Sequence, residues 1–102
     1  MTQPISKEKI EALQRENIEV KLIDIRTLPE FEKIHVPGSV NIPAETLQNH
    51  IPFLSDDETI VCICNKGHER SQNAAALLFD AGFSNVFYLE GGVLGWLDGD
   101  ND

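Results

Sequence analysis

Thr59-Ile60-Val61-Cys62-Ile63-Cys64-Asn65-Lys66-Gly67-His68-Glu69-Arg70-Ser71 is the stretch that decides the fold of this 102-residue chain. An apolar run over 59–63 meets a polar loop with a glycine, and a helical pattern follows from Ser71 to Ala81. Successive backbone N–H groups of such a loop, with the positive end of the helix dipole, point at one spot. That field favours thiolate over thiol and can hold an anionic substrate. Cys64 is therefore a candidate nucleophile rather than a packing residue.

Outward from this stretch, strands and helices alternate. Val20 to Ile25 is β-branched and mostly apolar, the pattern of a buried strand. Ser39 to Ile42 forms a shorter strand after the Pro37-Gly38 turn, and Val86 to Leu89 forms another. Ser6 caps a first helix running to about Asn17, with Ile10 and Leu13 facing inward and Ile5 packing across its start. Pro29 opens a short helix through about Ile34, and Pro43 starts one from Ala44 to about His50. Ser55 to Glu58 turns the chain into the central strand. Gly82 ends the helix after the loop in a left-handed conformation, and Gly91-Gly92 leads into a last helix with Leu94 and Trp96. The economical architecture is α/β, a parallel sheet covered on both faces. Ligands of such sheets bind beyond the carboxyl ends of the strands, where Cys64, Asp24 and Arg26 lie.

Composition narrows the function. Residues 1–102 make one small domain, large enough for a core without disulfides or metal staples, ending in an acidic tail at 98–102 that is expected to fray. The first 17 residues contain no signal-peptide-like apolar stretch, and no run could span a bilayer, so the expected location is cytoplasmic. Cys62 and Cys64 are too close for an unstrained disulfide and read as reduced thiols. The net charge of −9 argues against nucleic acid and anionic membranes as partners. Against it, Lys66, His68 and Arg70 make the loop a local positive island, opposed only by Glu69.

Together these segments resemble a single-domain rhodanese. Leu22-Ile23-Asp24-Ile25-Arg26, with Glu30-Phe31 after it, resembles the family's first signature. His35-Val36-Pro37-Gly38-Ser39-Val40-Asn41-Ile42-Pro43 resembles the second, and Tyr88-Leu89-Glu90-Gly91-Gly92 with Gly95-Trp96 the C-terminal one. The resemblance runs from about Ile5 to Leu97 and implies an α/β/α sandwich with a mainly parallel five-stranded sheet. Rhodanese sulfurtransferases usually have six residues from the cysteine to the arginine before the helix. Here Cys64 to Arg70 is seven, with Glu69 where the shorter loop would put arginine. A seven-residue Cys-x5-Arg loop resembles the rhodanese-fold phosphatases and arsenate reductases. Those place histidine directly before the cysteine, where this chain has Ile63.

Three functions follow, two catalytic and one not. A sulfurtransferase would use the Cys64 thiolate to take a sulfane sulfur from thiosulfate or a persulfide and pass it to a thiol, on a small molecule or a protein, or to cyanide. Lys66 and Arg70 would attract the anionic donor, and Asn65, Lys66, Gly67, His68, Glu69 and Ser71 would form the anion-binding loop. An oxyanion enzyme would direct Cys64 at phosphorus or arsenic, with Arg70 gripping two oxygens and Glu69 or Asp24 as the acid. A binding module would keep the fold without catalysis. None requires a metal or cofactor, and His50 and His68 share no ligand spacing with the cysteines. Asp24 is read as orienting the loop, acting as an acid, or satisfying local N–H groups. Arg26 is expected to pair with Glu30 or Glu32. Cys62 is expected in the core, His35 in a structural hydrogen bond, and Trp96 between the last helix and the sheet. The stretch between Gly67 and Arg70 is read as an exposed loop tip that tolerates deletion.

Overall fold

The computed structural model describes residues 2–98. The first strand, β1 (Gln3–Ile5), is followed by α1 (Lys7–Arg15), β2 (Val20–Asp24), α2 (Leu28–Lys33), β3 (Val40–Asn41), α3 (Ala44–His50), β4 (Thr59–Ile63), α4 (Glu69–Asp80), β5 (Val86–Leu89) and α5 (Gly92–Asp98). A 3₁₀ turn at Ile51–Phe53 extends α3. The sheet order is β1-β5-β4-β2-β3, and all four pairings are parallel.

Both faces of the sheet are apolar because strand side chains alternate. Ile23, Ile60, Cys62 and Val86 face one side and pack with Leu47 of α3 and Ala75 and Leu78 of α4. Leu22, Val61, Ile63 and Leu89 face the other and pack with Ile10 of α1 and Val93 and Trp96 of α5. The five-stranded three-layer α/β arrangement expected from the sequence is the one observed.

The chain leaves β2 for β3 on one side and leaves β4 for β5 on the other. The carboxyl ends of β2 and β4 are neighbours, since Asp24 pairs with Ile63. Crossovers diverge there and leave a crevice, the usual ligand position in an open α/β sheet.

Several boundaries differ from the sequence reading. Gln3–Ile5 is a fifth strand, paired with β5, where only helix-start packing of Ile5 was expected. Its three residues include a proline, so nothing local announces it; β5 supplies the pairing. Pro29 is the second residue of α2 rather than the first, because Thr27 caps the helix and Glu30 closes a reciprocal capping box. The helix α4 starts at Glu69, two residues before the expected Ser71, and an acidic side chain in its first turn suits the dipole. Of the acidic tail expected at 98–102, Asp98 ends α5 and the rest lies outside the described residues.

Candidate active site

The ends of β2 and β4 build the site from below. Asp24 and Arg26 are both buried at the end of β2. Asp24 Oδ1 accepts from the Arg26 backbone N–H at 3.0 Å and from Nε at 2.9 Å, and Oδ2 accepts from Nη2 at 2.7 Å. Arg26 also donates to the Ile34 carbonyl at 2.7 Å and to Asn65 Oδ1 at 2.9 Å. A buried charge is tolerated only when paired and hydrogen-bonded, and here both conditions hold. Asp24 is thus a strand-end anchor rather than an acid facing the crevice. The partner expected for Arg26, Glu30 or Glu32, is corrected: Asp24 is nearer and already buried, and Glu30 turns elsewhere.

Glu30 pairs with Arg70. The guanidinium donates Nη1 to Oε1 and Nη2 to Oε2, both at 3.2 Å, and Asn65 Nδ2 donates to Oε2 at 3.3 Å. Arg70 and the Thr27 backbone N–H hold the Glu30 carboxyl at about 2, well below its usual range. The same pairing pushes the Arg70 guanidinium up.

Above these anchors the chain turns through Asn65–His68. Cys64 is buried at the base, and its thiol donates to Ser71 Oγ at 3.1 Å, while that hydroxyl donates to the His68 carbonyl at 3.2 Å. Burial pushes the Cys64 thiol up. The Ser71 hydroxyl and the backbone N–H groups of Ser71, Lys66 and Gly67 outweigh burial and hold it below the ordinary cysteine value. On deprotonation the Ser71 hydroxyl has only to turn from the His68 carbonyl to the sulfur to donate to the thiolate.

A shallow cavity of about 260 Å³ opens over this base, lined by Cys64, Asn65, Lys66, His68, Glu69 and Arg70. Lys66, His68, Glu69 and Arg70 are exposed around it. Glu69 and Arg70 lie in the first turn of α4, which corrects their reading as a loop tip. Gly67 is buried at φ +75°, and a Cβ there would stand 2.5 Å from the Leu89 carbonyl and 2.8 Å from the Gly91 nitrogen. The loop is therefore wedged against the end of β5 at Gly67, while His68 beyond it is exposed. A larger groove of about 560 Å³ lies beside β1, lined by Ile5, Leu13, Ile18 and Phe87 among others, and contains neither cysteine.

The sequence reading missed what holds the loop from behind. The backbone N–H groups of Val93 and Leu94, in the first turn of α5, donate to the Cys64 and Asn65 carbonyls at 2.9 and 3.0 Å. A Cβ on Gly92 would run into those same carbonyls. The Gly91-Gly92 pair was the available signal, since both residues adopt positive φ. Glu30 was visible only as part of a signature. Its partner lies 40 residues away, beyond any local pattern. Elsewhere, Cys62 is core, His35 Nδ1 lies 2.8 Å from the Phe31 carbonyl, and Trp96 packs α5 onto the sheet. Among the described residues no group of three or more His, Cys, Asp or Glu could hold a metal ion. Among them, too, no helix is long and apolar enough to cross a membrane.

A family model described as a rhodanese-like domain matches residues 6–98. The chain belongs to the rhodanese-like family. The thiosulfate sulfurtransferase GlpE of Pseudomonas syringae is 34% identical over 92 residues, which cover 90% of this chain and 84% of that protein. YrkF of Bacillus subtilis is 32% identical over 90 residues, or 88% of this chain, which spans about half of that protein at 46%. A rhodanese-related protein of Thermoplasma volcanium superposes with a TM-score of 0.81 at 25% identity, covering 95% of this chain and 92% of that one. Relatives of this rank support sulfur transfer at the level of the family.

Proposed function

We propose that this rhodanese-like chain is a sulfurtransferase in which Cys64 carries the sulfur as a persulfide. The observation behind this reading is the Cys64 sulfur at the base of the loop, 3.1 Å from the Ser71 hydroxyl and held below the ordinary cysteine value by that hydroxyl and by the backbone N–H groups of Ser71, Lys66 and Gly67. The cradle favours the thiolate, and the same N–H groups suit a second sulfur carrying negative charge.

With thiosulfate, the Cys64 thiolate attacks the outer sulfur, the sulfur–sulfur bond of the donor breaks, and sulfite leaves with the bonding pair. The new Cys64 persulfide keeps one negative charge, which the loop N–H groups hold. A cyanide or thiolate acceptor then attacks the terminal sulfur, and Cys64 leaves as thiolate. Nothing in either step calls for a general acid, consistent with Asp24 being committed to Arg26. Lys66 at the rim draws in the anionic donor against a net charge of −9, while the Arg70 guanidinium is paired with Glu30. Two free cysteines suit a reducing compartment such as the cytoplasm.

The seven-residue spacing from Cys64 to Arg70 favours a second reading, attack on phosphorus or arsenic with Arg70 on two oxygens. One paired assay separates the two. Thiocyanate formation from thiosulfate and cyanide is expected, lost in Cys64→Ser, with no hydrolysis of an aryl phosphate or reduction of arsenate. Cys64-dependent phosphate hydrolysis or arsenate reduction without thiocyanate would move the assignment to the oxyanion enzymes. Neither activity in a folded protein would favour the binding module.

A further inference from the structure

Glu30 is more than half of a surface ion pair. Its Oε1 accepts from the Thr27 backbone N–H and the Thr27 hydroxyl, both at 3.0 Å, so the carboxylate is fixed by the capping box of its own helix. Thus held, it meets the Arg70 guanidinium fork to fork and takes a further hydrogen bond from Asn65 of the loop. An ordinary surface pair must order two long side chains, but here one partner is ordered in advance. Arg70 is the arginine at the rim of the Cys64 cavity, and its two parallel N–H donors are occupied by a carboxylate of the protein itself.

We propose that Glu30 is a specificity-determining residue, an internal carboxylate in the Arg70 fork that disfavours oxyanion donors relative to thiol persulfides. This deepens the sulfurtransferase reading above and rests on it. A sulfonate-bearing donor such as thiosulfate offers oxygens that match the guanidinium fork as a carboxylate does. To use that fork it must displace Glu30 and bring a dianion beside a carboxylate. A persulfide R–S–SH carries no oxyanion and has no use for the fork. The Cys64 thiolate attacks its outer sulfur, the R–S to sulfur bond breaks, and R–S⁻ leaves with the electron pair. The hydrogen stays on the transferred sulfur, Cys64 rises to the persulfide level, and the donor is reduced to its thiolate. This step needs only Cys64 and the loop N–H groups.

The test is Glu30→Gln. Glutamine supports a capping box as glutamate does, so α2 keeps its start while the charge is lost. Persulfide formation on Cys64 is followed by intact mass against increasing thiosulfate and, separately, against the persulfide of 2-mercaptoethanol. In Glu30→Gln the half-saturating thiosulfate concentration is expected to fall about three- to tenfold, and that for the persulfide to move by less than about twofold. The gain should vanish when Arg70→Ala is added. No change with thiosulfate, a rise, or equal gains for both donors would overturn the role of Glu30. If wild-type protein takes sulfur from neither donor, the sulfurtransferase reading itself fails. Sulfate protection of Cys64 against iodoacetamide then still decides the Glu30 question. The half-protecting sulfate concentration must fall in Glu30→Gln, and an unchanged value overturns the proposal.

Discussion

Cys62 and Cys64 are two residues apart, face the same side of the sheet and belong to one core cluster, yet their chemistry diverges. Cys62 sits inside β4 with its backbone committed to β2 and β5. Burial, with the charge of Cys64 adding to it, pushes its thiol up to about 12. Cys64 lies one residue past the strand, where the backbone turns and its N–H groups are free to point at sulfur. Burial acts on both thiols. What separates them is whether hydrogen-bond donors compensate it, and that depends on where the strand ends.

Removing the support beneath the loop should have the largest effect. Arg26→Ala leaves Asp24 buried without its partner and releases Asn65, at a cost of about 3–5 kcal/mol. Urea unfolding should show that loss. A change below about 1 kcal/mol would mean that the Asp24–Arg26 pair does not carry the loop.

Ser71→Ala comes next, because it removes one donor from Cys64 and leaves the fold intact. One hydrogen bond to a charged group is worth about 1.5–3 kcal/mol, so the Cys64 pKa should rise by about one to two units. The pH profile of iodoacetamide alkylation reads this directly, as a midpoint moved to higher pH and a slower rate at neutral pH. An unchanged profile would leave the backbone N–H groups as the whole cause.

Cys62→Ala probes the other side of the comparison. It trades a buried thiol for a small cavity, costing about 1–2 kcal/mol of stability, with sulfur transfer changed by less than about twofold. A large loss of transfer at normal stability would make Cys62 a participant in the chemistry.

The smallest effect belongs to the rim. The Glu30 carboxyl is held at about 2 against an ordinary 4.5, so its pairing with Arg70 adds stability above about pH 4.5 and loses it as pH falls toward 2. The pair is half exposed, so the loss should stay below about 1 kcal/mol. Comparing Glu30→Gln with wild type across that range isolates it, since the difference should close at low pH.

How much of this was legible depended on whether the signal was local. β4 and β5 fell on the expected residues because each is an unbroken run of β-branched and apolar residues between turn formers. Ser6 capped α1 as its side chain allows, accepting from the Lys9 N–H. The place of Cys64 at the base of the loop was legible for the same reason, since it lies between a clear strand and a clear helix. The partners of the charged residues were not. Arg26 had several acidic candidates nearby, and only the buried end of β2 selects Asp24. The fork of Arg70 reaches a carboxylate 40 residues away, and the loop's carbonyls lean on N–H groups of α5. Those contacts exist only once the sheet has brought the strand ends together.

The most direct test of the contrast between the two thiols is the intact mass of reduced protein after thiosulfate, in wild type, Cys62→Ala and Cys64→Ser. Wild type and Cys62→Ala should each gain one sulfur atom that dithiothreitol removes, and Cys64→Ser should gain none. An adduct that survives Cys64→Ser, or disappears with Cys62→Ala, would contradict the assignment of the sulfur to Cys64.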